Sequence, residues 1–87
     1  ESNNMKISIE CNIENVETYT GKNGFGANIT VSQLVDRKRQ LLTFNTSNAE
    51  YANILECKLQ ETVVLELELN QSNFGLRITD IIDIQSL

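Results

Sequence analysis

The last third of the chain, residues 61–87, constrains the fold most, because its apolar residues recur at every second position. In the first run the odd positions are apolar: Val63, Leu65, Leu67 and Leu69. In the second run four even positions are apolar: Leu76, Ile78, Ile82 and Ile84. A period of two is typical of a strand with one face in the core. Because Gln71-Ser72-Asn73 separates the runs with turn-forming residues, we predict a hairpin with Phe74 at its tip.

The first half of the chain shows the same alternation in three further runs, which predict strands over residues 5–13, 25–32 and 40–45. The phase of the first run changes near Asn15, which indicates a bulge or a bend. The segment Thr20-Gly21-Lys22-Asn23-Gly24 is a turn, because Gly and Asn tolerate positive φ. A second turn, the charged turn, contains Asp36-Arg37-Lys38-Arg39.

One segment before the final hairpin has helical spacing. Ser47 followed by Glu50 fits a capping box, and the apolar residues that follow predict a short helix over residues 48–58. The order β-β-β-α-β-β is that of an OB-fold, a five-stranded Greek-key barrel. We therefore predict an all-β domain with one short helix; an α+β meander with one helix is the alternative. The single domain should cover residues 5–87, because we interpret residues 1–4, which precede the first Met, as a cloning scar.

The composition argues against catalysis and against a bound metal. The chain contains no His, the commonest general base and metal ligand. It also lacks a nucleophile motif and a phosphate-binding glycine loop. Cys11 and Cys57 do not have the spacing of metal ligands or of a disulfide scaffold. We expect a reduced, cytoplasmic protein without catalytic site, metal or cofactor. We also expect no membrane span, because no apolar run approaches the roughly 20 residues required.

The net charge of −5 is distributed unevenly. Residues 21–45 contain four basic residues and one acidic residue, a net charge of +3, whereas the segments before and after carry −3 and −5. OB-folds bind single-stranded nucleic acid by stacking bases on aromatic side chains while cations follow the backbone. The candidate residues for such a surface are aromatic or basic: Tyr19, Lys22, Phe25, Arg37, Lys38, Arg39, Phe74 and Arg77.

Three aromatic residues also have an explanation in packing. Phe44 follows the apolar phase of the third strand and is expected in the core. Tyr51 is expected to pack from the helix onto the barrel. Phe25 shares its phase with Ile29 and Val31, so packing and ligand stacking are both open for it.

Two turn segments resemble those of the small single-stranded DNA-binding proteins of filamentous phages, the gene V protein type. Thr18-Tyr19-Thr20-Gly21-Lys22-Asn23-Gly24 is similar to the first hairpin of that family, and Asn73-Phe74-Gly75-Leu76 is similar to its last. The resemblance implies a phage or mobile-element protein that acts in DNA replication. It also implies a homodimer in which the aromatic residue of the last hairpin reaches the DNA surface from the symmetry-related subunit. By this resemblance Phe74 is the first candidate residue and Lys22 the second.

The leading interpretation is a non-enzymatic OB-fold homodimer that binds single-stranded DNA, or RNA, without strong sequence preference. The acidic net charge supports an alternative, a protein-interaction module whose Glu66 and Glu68 contact a basic protein partner. A negative surface on which Lys22 and the charged turn point in different directions would favour this alternative.

Overall fold

The computed structural model describes residues 4–86, and its elements follow the predicted order. Within these residues the elements are β1 Asn4–Gly21, β2 Gly24–Val35, β3 Lys38–Thr46, α1 Ala49–Glu56, β4 Thr62–Ser72 and β5 Gly75–Ser86. The strands form one sheet in the order β3-β2-β1-β4-β5, and every neighbouring pair is antiparallel. The fold is therefore the predicted one, an all-β OB-fold barrel with one short helix.

The long strand β1 belongs to both halves of the barrel, because it pairs with a different strand along each half of its length. Residues 4–12 pair with β4, and residues 12–21 pair with β2. Between them Glu14 has no partner on β2, since Ile13 lies opposite Val31 and Asn15 lies opposite Thr30. Glu14 is thus a β-bulge, which bends the strand one residue before the predicted position.

The first strand begins at Asn4, whose backbone pairs with Asn70. Residues 1–3 and Leu87 lie outside the described residues, and the interpretation of residues 1–4 as a cloning scar stays a prediction.

The core is formed by the inward faces of the strands and by one side of the helix. Its fully buried side chains include Ile13, Ile29, Leu65 and Leu67, with Ala52 and Leu55 from α1. Phe44 is buried, and Tyr51 packs against the core while its hydroxyl donates to the Ile82 carbonyl at 2.7 Å, which confirms both predictions. Cys11 is also buried, and desolvation raises the pKa of its thiol to about 11. Cys11 therefore stays protonated and packs as a small apolar side chain.

The inward phase of β5 differs from the predicted even phase, because β5 contains two bulges. Thr79 and Ile82 have no partner on β4. As a result the residues that meet the core are Ile78, Ile81 and Ile84, which are three positions apart. Ile81 is buried and takes the place in the core that we predicted for Ile82.

The barrel closes where β5 passes beside β3. Thr46 is buried at this point, and its hydroxyl donates to Asp80 Oδ1 at 2.8 Å. The same carboxylate oxygen accepts from the backbone N–H of Ile81 at 2.8 Å. A side-chain hydrogen bond thus joins the two strands, and it gives Asp80 a structural role within the otherwise apolar phase of β5.

The charged turn is shorter than predicted. Only Asp36 and Arg37 are turn residues, and their φ values of 51° and 68° fit a two-residue hairpin turn. Lys38 and Arg39 instead belong to β3.

The helix begins one residue later than the predicted capping box implies. The cap is Asn48 rather than Ser47, because Asn48 Oδ1 accepts from the backbone N–H groups of Glu50 and Tyr51 at 3.0 and 3.1 Å. The helix ends at Glu56, two residues before the predicted end. Among residues 4–86, no helix combines the length and hydropathy that crossing a membrane requires.

Candidate nucleic-acid interface

The β1–β2 and β4–β5 hairpins have turns of the same construction. Each has two turn residues, and in each the next residue is a glycine with positive φ, 103° at Gly24 and 107° at Gly75. This conformation is strained for residues with a side chain, so the glycines fix both turns. The first turn presents Lys22 to solvent, and the second presents Phe74.

Phe74 is 99% exposed and makes no core contact. Its backbone is nevertheless held, because its N–H donates to Ser72 Oγ at 3.2 Å and the same hydroxyl donates to the Gly75 carbonyl at 3.2 Å. An aromatic ring on an anchored turn, fully in water, has no role in packing. The structure therefore places the first candidate residue where a ligand can reach both faces of its ring.

A groove of about 660 Å³ lies between β3 and β5. These two strands are the edges of the sheet and do not pair with each other. Its lining combines apolar and polar side chains, including Leu42, Leu76, Ile78, Asn28, Asn45 and Arg77. Leu42 and Leu76 have the inward phase of their strands, yet they are 40% and 54% exposed. The open barrel thus leaves part of its apolar interior accessible beside polar groups.

Tyr19 is hydrogen-bonded to Asn45 in the groove lining and is fixed in place by two contacts. Its ring packs across Gly26, its partner on β2, so closely that a Cβ on Gly26 would lie 2.5 Å from Tyr19 Cζ. Its hydroxyl accepts from Asn45 Nδ2 at 2.7 Å. Since Tyr19 is 45% exposed, one part of the ring is packed and another part faces solvent.

Phe25, for which packing and stacking were both open, packs in part against the core. It has the same phase as Ala27 and Ile29, and it is half-buried against the core. Packing therefore uses much of the ring, and Phe25 is a weaker stacking candidate than Tyr19 or Phe74.

The basic side chains are spread out rather than gathered in one patch. Lys22 and Arg37 lie in the turns at opposite ends of β2, roughly 36 Å apart along an extended strand of 12 residues. Arg39 is tethered, because its Nη1 donates to Ser32 Oγ at 2.8 Å, and this hydroxyl donates to Glu14 at 2.5 Å. A ligand must therefore follow the length of β2 and β3 to contact Lys22 and the charged turn together.

The groove and the Phe74 turn both lie beside β3, within the length that a ligand following this strand would cover. Thr46 contacts Asp80 near the end of β3, and Leu42 shares the groove with Leu76 nearer its start. β5 therefore runs parallel to β3, and the turn with Phe74 lies toward the start of β3, the end that carries the charged turn. Tyr19 is hydrogen-bonded to Asn45 and so lies toward the end of β3.

An acidic patch on β4 and β5 lies outside the lining of the groove. Glu66 and Glu68 lie on the outward face of β4, and Asp83 lies directly opposite Glu66 on β5. Carboxylates repel phosphate, so this face is unsuited to nucleic acid and suited to a basic partner.

Sequence reasoning missed Gly26, Asn28 and Asn45, which shape the Tyr19 end of the groove. Their signal is weak, because asparagines on a polar strand face are common and only the register brings these residues together. A glycine inside a strand opposite an aromatic residue is the one clue, since such a glycine often marks close approach of another group.

Comparison with known proteins agrees with the fold. No protein-family model and no curated protein matches the sequence. The chain is similar to the mitochondrial single-stranded DNA binding protein Rim1 from S. cerevisiae, with a TM-score of 0.67 and 21% identity. The match covers 95% of this chain and 93% of that chain. It supports the OB-fold and lends no support to the filamentous-phage family, so membership of that family stays a prediction.

Proposed function

We propose that this protein binds single-stranded DNA, largely independently of sequence, along a path that follows β3. The observation that carries the proposal is the open groove between β3 and β5, which has Arg77 in its lining. The exposed ring of Tyr19 is hydrogen-bonded to the lining residue Asn45, and the exposed ring of Phe74 lies two residues before the lining residue Leu76. The likeness in fold to Rim1, a protein named for single-stranded DNA binding, supports the choice of ligand. RNA offers similar bases and phosphates and is the alternative ligand.

Stacking and charge contribute separately to the proposed binding. A base stacked on an aromatic side chain contributes about 1–3 kcal/mol, and every base has a face that can stack. The phosphates are contacted by basic side chains along the path, which makes binding depend on salt. The acidic face of β4 and β5 keeps the strand on the β3 side of the barrel.

A fluorescence anisotropy titration with a labelled oligothymidine at low salt tests the proposal. We expect binding that weakens linearly on a log–log plot against salt concentration. Five basic side chains make no hydrogen bond to the rest of residues 4–86. Lys6 lies opposite Glu68 on β4. The other four are available to the proposed path: Lys22, Arg37, Lys38 and Arg77. If all four contact phosphates of a single strand, the slope is about −3.

Two comparisons accompany the titration. A duplex of the same sequence should bind more weakly, because its bases are not free to stack, and an oligouridine compares RNA with DNA. The absence of any binding at tens of micromolar protein would rule out the proposal.

A homodimer is part of the proposal, and the first half of β1 supports it. On the side away from β4, residues 5–11 pair with no strand of the described chain. One backbone group on this edge is used, because the Gln33 side chain donates to the Glu10 carbonyl at 3.2 Å. Met5 and Ile7 on this segment are 48% and 37% exposed. An unpaired strand edge is a template for pairing, and a second copy offers the same edge in a two-fold arrangement.

Sedimentation velocity is expected to show a species of twice the chain mass at tens of micromolar protein. Ile7→Lys should shift the population toward monomer, because a charged edge opposes pairing. A wild-type protein that sediments as a monomer throughout would contradict the dimer.

The acidic face of β4 and β5 favours a second candidate function, the binding of a basic protein. Glu66 and Asp83 are adjacent across the two strands and lie away from the groove. A lysine-rich peptide that binds the wild-type protein but not Glu66→Gln, together with no binding of oligothymidine, would replace the DNA proposal with this one.

A further inference from the structure

The two asparagines of the groove form a fixed pair. Asn28 and Asn45 are direct partners in the β2–β3 ladder. Asn45 Nδ2 donates to Tyr19 Oη at 2.7 Å and to Asn28 Oδ1 at 2.9 Å. Both hydrogens of this amide nitrogen are therefore used within the protein, and the three side chains orient one another.

The same contacts leave one donor and one acceptor unused. Within residues 4–86, Asn28 Nδ2 and Asn45 Oδ1 have no hydrogen-bond partner, and both side chains line the groove. A free amide donor and a free amide acceptor on two paired residues can hydrogen-bond the edge of a nucleobase, which carries both donors and acceptors. Because the pair is already oriented, a ligand would not have to order it.

The rest of the groove is suited to the other parts of a nucleotide. Leu42 and Leu76 make part of the lining apolar, and Arg77 carries a positive charge in the same lining. The volume of about 660 Å³ lies within the range of pockets that hold small ligands, roughly 300–1,000 Å³. Tyr19 lies beside the amide pair through its bond with Asn45, and Gly26 leaves room for its ring.

We propose that the groove between β3 and β5 takes one unpaired nucleobase, whose edge is hydrogen-bonded by Asn28 and Asn45 on the outward face of the β2–β3 pair. This inference rests on the proposed function and makes it more specific. It gives the protein direct base contacts in addition to stacking at the hairpin tip. It also excludes duplex DNA from this site, because pairing already occupies the base edge.

Tyrosine fluorescence can report on the groove directly. The chain has no Trp and two Tyr, so Tyr51→Phe leaves Tyr19 as the only strong emitter. In that background a nucleobase bound in the groove should change Tyr19 emission on addition of oligothymidine. An oligonucleotide of the same length made only of abasic sites should leave the emission unchanged.

Single substitutions test the amide pair. Asn28→Ala and Asn45→Ala should each weaken oligothymidine binding. We expect a rise in Kd of about fivefold or more, because fivefold corresponds to the smallest usual loss for a base-edge contact. Binding of the abasic oligonucleotide should not change. Asn53→Ala, an exposed asparagine on the helix, is the matched control and should bind as the wild type does.

Gly26→Ala tests the position of Tyr19 separately, because the added methyl group displaces the ring from its place beside Asn45. It should weaken oligothymidine binding and abolish the emission change in the Tyr51→Phe background.

The outcomes separate this inference from the proposed function. If the wild type binds oligothymidine and Phe74→Ala weakens it, but Asn28→Ala and Asn45→Ala bind unchanged, the inference is wrong and the proposed function stands. If the wild type binds neither oligonucleotide, both are wrong.

Discussion

Leu65→Ala is expected to lower the free energy of unfolding by about 2–5 kcal/mol, the largest effect on stability that we predict for a single substitution. Leu65 is fully buried in β4, opposite Ile9 on β1 and Ile84 on β5. Truncation removes apolar contacts with both neighbouring strands and leaves a cavity that a close-packed barrel fills only in part. For a domain of 87 residues the total stability is about 4–13 kcal/mol, so the variant loses a large share of it.

Chemical denaturation followed by circular dichroism measures this loss, and the chain offers a matched control. Leu41→Ala makes the same change on β3, where the side chain is 68% exposed. The control should change stability by no more than about 0.5 kcal/mol. Equal unfolding midpoints for the two variants would contradict the assignment of Leu65 to the core.

The alternation of apolar residues was sufficient to predict the fold, because each strand has one face in the core and one face in water. Val63, Leu65 and Leu67 occupy the core as their phase requires. The phase failed in β5, where the bulges at Thr79 and Ile82 change the spacing of inward residues from two to three. A bulge depends on pairing with the neighbouring strand, and the local sequence carries little information about it.

The candidate site was predictable in part for a similar reason. Phe74 and Lys22 lie on hairpin turns, whose positions follow from local turn residues, so the sequence located both. The groove depends on where β5 passes beside β3, and these strands are far apart in the chain. The sequence could not place Phe25. The end of a strand can lie inside or outside the core, and the alternation of apolar residues does not distinguish the two positions.

The distribution of charge in space explains how an acidic protein can bind nucleic acid. Glu66, Glu68 and Asp83 on β4 and β5 do not line the groove, whereas five of the seven cations lie along β2, β3, their turns and the start of β5. At physiological salt the Debye length is about 8 Å, so a phosphate near β3 is screened from most of the acidic face. The positions of the individual charges therefore predict the ligand better than the net charge of −5 does.

Phe74→Ala is expected to weaken binding of oligothymidine by the value of one stacked base, about 1–3 kcal/mol or roughly fivefold to 150-fold in Kd. The ring is 99% exposed, and its turn is held by Ser72 and Gly75 rather than by the ring. The substitution should therefore leave the unfolding midpoint unchanged, and a loss of affinity would be a loss of contact with the ligand. Anisotropy titrations of wild type and variant under one salt condition measure the difference.

Two further substitutions decide whether stacking is the cause. Phe74→Tyr keeps an aromatic face and should retain most of the affinity, whereas Phe74→Leu keeps an apolar side chain without that face and should bind nearly as weakly as Phe74→Ala. Because no charge changes, the salt slope should be the same for all four proteins, which separates stacking from phosphate contacts. If Phe74→Leu binds oligothymidine as tightly as the wild type, the residue acts through apolar contact and not through stacking. If Phe74→Ala also binds as tightly as the wild type, the hairpin tip takes no part in binding.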